Sequence, residues 1–238
     1  TLPTSTEIFT VFTAHLCDLT GTLDLSNLSN LGGSLQLFNN SNLTGITFPT
    51  SSQSFTTIRA NTCDLTGTLD MSPLTNVTND ILLQSNPNLT GITFPTTTGA
   101  IDLVRVESCG LTGTLDASPM SNLEGQFRCH ANSGLTGLTL PATSSVMTQV
   151  WAYSCSMGYV DFTVLTGAND GIDIKLEANA MTAAEVNCIL VDLDNSGWIN
   201  GTITIDGTNA APDGTSGGCD GSTAKTNLQG NGWTVTTN

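Results

Sequence analysis

The residues best suited to chemistry are scarce in this chain and fall into register. Of its 238 residues only five are Lys or Arg and two are His. Four of the five cations, Arg59, Arg105, Arg128 and Lys175, are spaced 46, 23 and 47 residues apart, and Trp151 stands between the last two. Two positions further on, Glu107, His130, Tyr153 and Glu177 follow the same steps, and His15 lies on the same grid. Arg, Trp and Tyr carry most of the energy of protein interfaces. Arg59, Arg105, Glu107, Arg128, His130, Trp151, Tyr153 and Lys175 therefore read as a ligand-binding set. The competing reading is a solvated strand face on which Glu107 relieves the like charges of Arg105 and Arg128.

Catalysis has weaker support. His15 and His130 are five repeats apart, about 24 Å at the spacing of parallel strands, and neither sits in a nucleophile motif. Asp24, Asp70 and Asp116 recur two repeats apart, too far for a carboxylate acid/base pair. Local hydrogen bonding in turns explains them better. Asp192-Leu-Asp-Asn-Ser-Gly197 begins like a calcium loop, but Ile203 stands where the bidentate Glu belongs, and Gly197 suits the end of a helix. No catalytic residue, metal ligand or cofactor is expected.

The grid comes from a deeper column. Cys17, Cys63, Cys109 and Cys155 are 46 residues apart, with Asn40, Asn86 and Asn132 midway between them and Asn179 one 24-residue step beyond. A period in the twenties signals a solenoid. Five positions before the column stand Phe12, Leu35, Ile58, Ile81, Val104, Phe127, Val150 and Ile174. Three before it stand Ala14, Leu37, Ala60, Leu83, Val106, Cys129, Ala152 and Leu176. Two apolar columns two residues apart mark a strand with one buried face. The cations and aromatics above occupy its outward positions. An inward Asn can both donate and accept, and so can bridge the backbone of adjacent rungs; Cys is a smaller occupant of the same slot.

Ile58-x-Ala60-x-x-Cys63-x-Leu65 and Leu35-x-Leu37-x-x-Asn40-x-x-Leu43, followed by Leu-Thr-Gly, resemble the leucine-rich-repeat core and its plant-type LTGxIP variant. Ile46-Thr-Phe-Pro49 and Ile92-Thr-Phe-Pro95 come near the latter. The resemblance covers about residues 1–182 in eight rungs. It implies an α/β solenoid, a right-handed coil with one parallel β-sheet on a concave binding face. Residues 183–238 read as a C-terminal helix/strand cap. A capping box, Thr182-Ala-Ala-Glu185, should open a helix to about Asp194. Strands are expected near Thr202–Ile205 and Trp233–Thr236, with a helical turn near Thr223–Leu228. The cap resembles those of phage structural and bacterial surface repeat proteins. Thr1-Leu-Pro-Thr-Ser repeats Thr47-Phe-Pro-Thr-Ser, so the array is expected to open in mid-repeat with an uncapped N-terminal end.

Column cysteines two rungs apart lie near 9–10 Å, beyond disulfide reach. They are expected to be buried free thiols, as is Cys129, whereas Cys188 and Cys219 are the expected disulfide and would place the chain in an oxidising compartment. A net charge of −15 disfavours nucleic acid and anionic membranes. Sequons at Asn27, Asn42, Asn76, Asn88 and Asn200 match chance for so Asn- and Thr-rich a chain. The expected function is a non-catalytic adhesion module on a virion or cell surface that binds a protein or glycan receptor. The alternative is a building block of a fibre or virion decoration, a homo-oligomer or mixed assembly joined through its N-terminal end.

Overall fold

The structure, a computed structural model, describes residues 8–50, 53–97, 99–144 and 146–238; the repeated start at Thr1 lies outside them. The chain is a parallel β-solenoid with two compact units. One holds the described residues up to Leu111 with Pro119–Leu123, the other Thr112–Ser118 with Glu124–Asn238.

In the first unit β1 (Phe9–Thr13), β3 (Leu31–Gln36), β5 (Phe55–Arg59), β7 (Val77–Leu82) and β9 (Ile101–Arg105) stack in that order, all parallel. Their register pairs Phe12 with Leu35, Leu35 with Ile58, Ile58 with Ile81 and Ile81 with Val104. This is the first apolar column read from the sequence. From Leu35 to Val104 these side chains are fully buried, as are Leu37, Ala60, Leu83 and Val106 beside them. Each large aliphatic so buried contributes about 1.5–3 kcal/mol.

In the second unit, which holds all of β11 (Leu123–Arg128) but its first residue, that strand stacks likewise with β13 (Met147–Trp151), β14 (Asp173–Lys175), β15 (Thr202–Thr204) and β16 (Thr234–Thr236). The column runs Phe127, Val150, Ile174 and then on through Ile203 and Val235. The two strands expected in the cap thus continue the same parallel ladder. Helix α1 (Ala183–Asn195) opens with the expected capping box at Thr182 and Glu185, and buries Val186, Ile189, Leu190 and Leu193. Its length takes in Asp192 and Asp194, which therefore form no ion-wrapping loop. Among the described residues no His, Cys, Asp or Glu cluster is placed to hold a metal. Helix α2 (Gly221–Gly230) is longer than the turn expected there. The disulfide between Cys188 and Cys219 joins α1 to the loop before α2, with Cα atoms 5.1 Å apart.

A single sheet was expected along the repeat, but the Leu-Thr-Gly and Thr-Leu-Asp segments also form strands. In the first unit β2 (Thr20–Asp24) pairs with β4 (Asn42–Thr47), and β6 (Gly67–Asp70) with β8 (Leu89–Thr93); in the second, β10 (Thr112–Asp116) pairs with β12 (Gly134–Thr139). Thr22, Thr68 and Thr114 lie against Gly45, Gly91 and Gly137, where an added Cβ would meet their hydroxyls at 2.9 Å. Alternating Thr with Gly lets these rungs close on one another. Asp24, Asp70 and Asp116 accept from the amides of Ser26, Ser72 and Ser118 at 2.9 Å, the local role expected of them.

Between the two strand series the chain turns sharply at every rung. The residue before each column position has left-handed backbone: Leu16, Asn39, Thr62, Ser85, Ser108, Ala131, Ser154 and Ala178, with φ between 53° and 59° for all but Ser85, at 62°. For a non-glycine residue this costs about 1–2 kcal/mol. The column side chain offsets it. Asn40 Nδ2 donates to the carbonyls of Ala14 and Leu37 at 2.8 and 2.7 Å, and its Oδ1 accepts from the amides of Cys17 and Leu19, both at 3.1 Å. Asn179 repeats all four bonds with Ala152, Leu176, Cys155 and Met157. At about 1 kcal/mol net each, four bonds exceed the strain of one bend. The cysteines serve the same carbonyl with a weaker donor. Cys63 Sγ reaches Leu37 O at 3.3 Å, Cys109 Sγ reaches Leu83 O at 3.4 Å, and Cys155 Sγ reaches Cys129 O at 3.5 Å. Asn209 extends the series, accepting from the amides of Asn179 and Met181 and donating to Leu176 O and Ile205 O.

Five cysteines are free, and Cys63, Cys129 and Cys155 are buried as expected. Burial pushes the Cys109 thiol up to about 11. Of the other two expected to be buried, Cys109 is only half-buried and Cys17 is exposed. Strand β1 is flanked only by β3 among the described residues, so the first rung is covered on one side.

Asn86 Nδ2 donates to Ala60 O and Leu83 O, and its Oδ1 accepts from Leu65 N. Asn86→Ala strands these buried groups, at about 1–3 kcal/mol each. It should lower the unfolding free energy by about 3 kcal/mol or more in chemical denaturation. Asn86→Cys, which keeps a donor, should lose less. Equal midpoints for wild type and Asn86→Ala would contradict the ladder.

Candidate functional site

Strand alternation turns three positions per rung away from the core, and the side chains there pack along the sheet. In the first unit the outward series includes His15, Phe38 and Arg59. His15 stacks on Phe38 with ring centroids 4.4 Å apart and planes within 5°. Arg59 Cζ lies 3.9 Å from the centre of the same ring, and its Nε donates to Asn61 Oδ1 at 2.9 Å. Arg105 Nε donates to Glu107 Oε1 at 2.7 Å. Glu107 is only 5% exposed, so this pair neutralises Arg105 within the face.

The second unit gathers the other five predicted residues. Arg128, Trp151 and Lys175 are register partners on β11, β13 and β14. Arg128 Cζ stands 4.3 Å from the Trp151 ring centre and Lys175 Nζ 4.2 Å from it. Because their strands flank β13 on either side, the two cations cover opposite faces of the indole. Such contacts each contribute about 0.5–2 kcal/mol. Trp151 Nε1 donates to Asp173 Oδ2 at 2.8 Å. Arg128 is held by Gln126 Oε1 at 2.7 Å and Gln149 Oε1 at 2.8 Å, both through Nη2. One position pair further along, His130 stacks on Tyr153 with centroids 4.2 Å apart, and meets Trp151 in an edge-to-face arrangement with centroids 6.1 Å apart.

The eight predicted residues thus divide. Arg59, Arg105 and Glu107 belong to the first unit, where each cation is engaged by an acceptor or a ring. Arg128, His130, Trp151, Tyr153 and Lys175 form one packed cluster in the second. Sequence reasoning missed Gln126, Gln149 and Asp173, which orient Arg128 and Trp151. They stand two residues before the cation column, and the third outward position of each strand was the signal that could have found them.

Glu177 follows Tyr153 in this face. Its Oε2 is buried and has no hydrogen-bond partner. Burial raises its carboxyl above the ordinary range, with Asp206 and Asp173 adding to the rise and Lys175 opposing it. A raised carboxyl pKa makes the ionised form a cost to the folded state at neutral pH, and the cost disappears once the group is protonated. Glu177→Gln should therefore raise the melting temperature at neutral pH, with the gain vanishing below about pH 4.3. An unchanged melting temperature at neutral pH would contradict this.

No protein-family model, curated protein or solved structure matches the chain, so the geometry of this face carries the functional reading.

Proposed function

We propose that the chain is a leucine-rich-repeat-type coil serving as a non-catalytic binding module. In this reading the outward strand face of the second unit, the concave side in such coils, holds a protein or glycan receptor outside the cell or on a virion. The observation that carries it is the packing of Arg128, Trp151 and Lys175 with His130 and Tyr153 on one sheet face. Four of the five cations in a chain of net charge −15 lie in the same outward column, which a merely solvated face does not require. A rigid ladder that fixes Arg and Trp in place lowers the ordering cost of binding. The Cys188–Cys219 disulfide supports an oxidising, extracellular setting.

A second reading has its own observation. Ile8, Val11 and Leu16 are 62%, 60% and 69% exposed on and beside β1, the edge strand among the described residues. An apolar strand edge is a template for pairing, which suits a subunit of a fibre or decoration layer assembling through that edge.

Arrayed glycans and intact cells probed with labelled protein distinguish the two. Trp151→Ala with Arg128→Ala should abolish capture, at about 2 kcal/mol or more per anchor, with circular dichroism unchanged. Capture that survives this pair contradicts the binding reading. Ile8→Asp with Val11→Asp should leave capture intact, and should disperse any oligomer seen by sedimentation if the second reading holds.

A further inference from the structure

The aromatic rings of this face are engaged by their neighbours. Trp151 is covered by Arg128 on one side and Lys175 on the other, and Tyr153 has His130 stacked on it. A neutral sugar is held by laying its C–H groups on the electron-rich face of an aromatic ring, and the Trp151 face is already occupied by cations. What the cluster offers a ligand is donors. Arg128 spends Nε and Nη2 on Gln126 and Gln149, and its Nη1 makes no hydrogen bond among the described residues. Lys175 makes no hydrogen bond or ion pair among them, so its ammonium protons are uncommitted. Gln126 and Gln149 give their Oε1 atoms to Arg128, which leaves their Nε2 amides to donate.

Two partly desolvated cations with unused protons suit an anionic ligand, to which they can give charge-assisted hydrogen bonds. The surroundings limit how many charges it carries. Asp173 and Glu177 flank Lys175 on its own strand and just beyond it, and the whole chain bears −15, so a polyanion or a run of acidic residues is repelled. A single carboxylate on an otherwise neutral, hydroxyl-rich body fits both constraints. Building on the binding reading above, we propose that this site recognises a carboxylate-bearing sugar, of the sialic or uronic acid class, through Arg128 and Lys175, with the amides of Gln126 and Gln149 meeting its hydroxyls.

Calorimetric titration with sialyllactose, a glucuronate-ended oligosaccharide and neutral lactose tests this. At least one acidic sugar should bind, lactose should not, and affinity should fall with added salt. Lys175→Gln and Arg128→Gln, which keep polar bulk, should each weaken binding about tenfold or more. The apolar-edge variant Ile8→Asp should bind as wild type does. Equal binding of lactose, no binding of either acidic sugar, or preference for a short glutamate peptide would overturn the proposal. In each case, cell capture that is still lost in Trp151→Ala with Arg128→Ala would leave the binding reading standing.

Discussion

Every rung of this solenoid must bring buried backbone through a bend, and a buried carbonyl or amide without a partner costs as much as a core methylene or more. The bend is made by one left-handed residue, and the groups it turns inward are satisfied by the next residue, Asn or Cys. Asn40, Asn179 and Asn209 each bridge their own rung to a neighbouring one. The strain at Thr62 or Ala178 is therefore tolerated by bonds that exist only when the rungs are stacked, which ties local conformation to the repeat as a whole. Cysteine suffices at alternate rungs because its thiol reaches the same carbonyl, 26 residues back, that the Asn amide reaches.

The same constraint builds the candidate site. Fixing the bend fixes register, and register sets Arg128, Trp151 and Lys175 side by side on three strands. A side chain with neighbours on both flanking strands can be held without a loop or a ligand. Gln126, Gln149 and Asp173 complete the restraint at the third outward position. The price is a row of half-buried polar groups, of which Glu177 is one, with its carboxyl raised by burial.

Much of this was legible in the sequence because the column repeats both residue type and spacing. The strand registers, the capping box at Thr182, the Cys188–Cys219 pair and the local bonds of Asp24, Asp70 and Asp116 all follow from residues whose chemistry admits few alternatives. The left-handed bend was not legible. Leu16, Asn39, Thr62, Ser85, Ser108, Ala131, Ser154 and Ala178 share no residue type, because the demand there falls on the backbone while most of the side chains point to water. Asn209 escaped because α1 lengthens its step from 23 or 24 to 30 residues. The strands β2 to β12 of the second series were hidden in Thr- and Gly-rich segments that read as turns. The column predicts burial for Cys17, but burial depends on a covering rung, and β1 has only β3 beside it among the described residues.

Amide hydrogen exchange on the native protein tests the central claim most directly. Leu65, Cys155 and Met157 lie just past a bend, where a chain turning over the surface would exchange freely. In this structure their amides are donated to Asn86 and Asn179. They should exchange as slowly as the amides of Ala60 and Ala152 in the adjoining ladder. Exchange as fast as that of the Gly207–Gly221 loop would show that the column does not close the bends, and the account of both fold and site would fail with it.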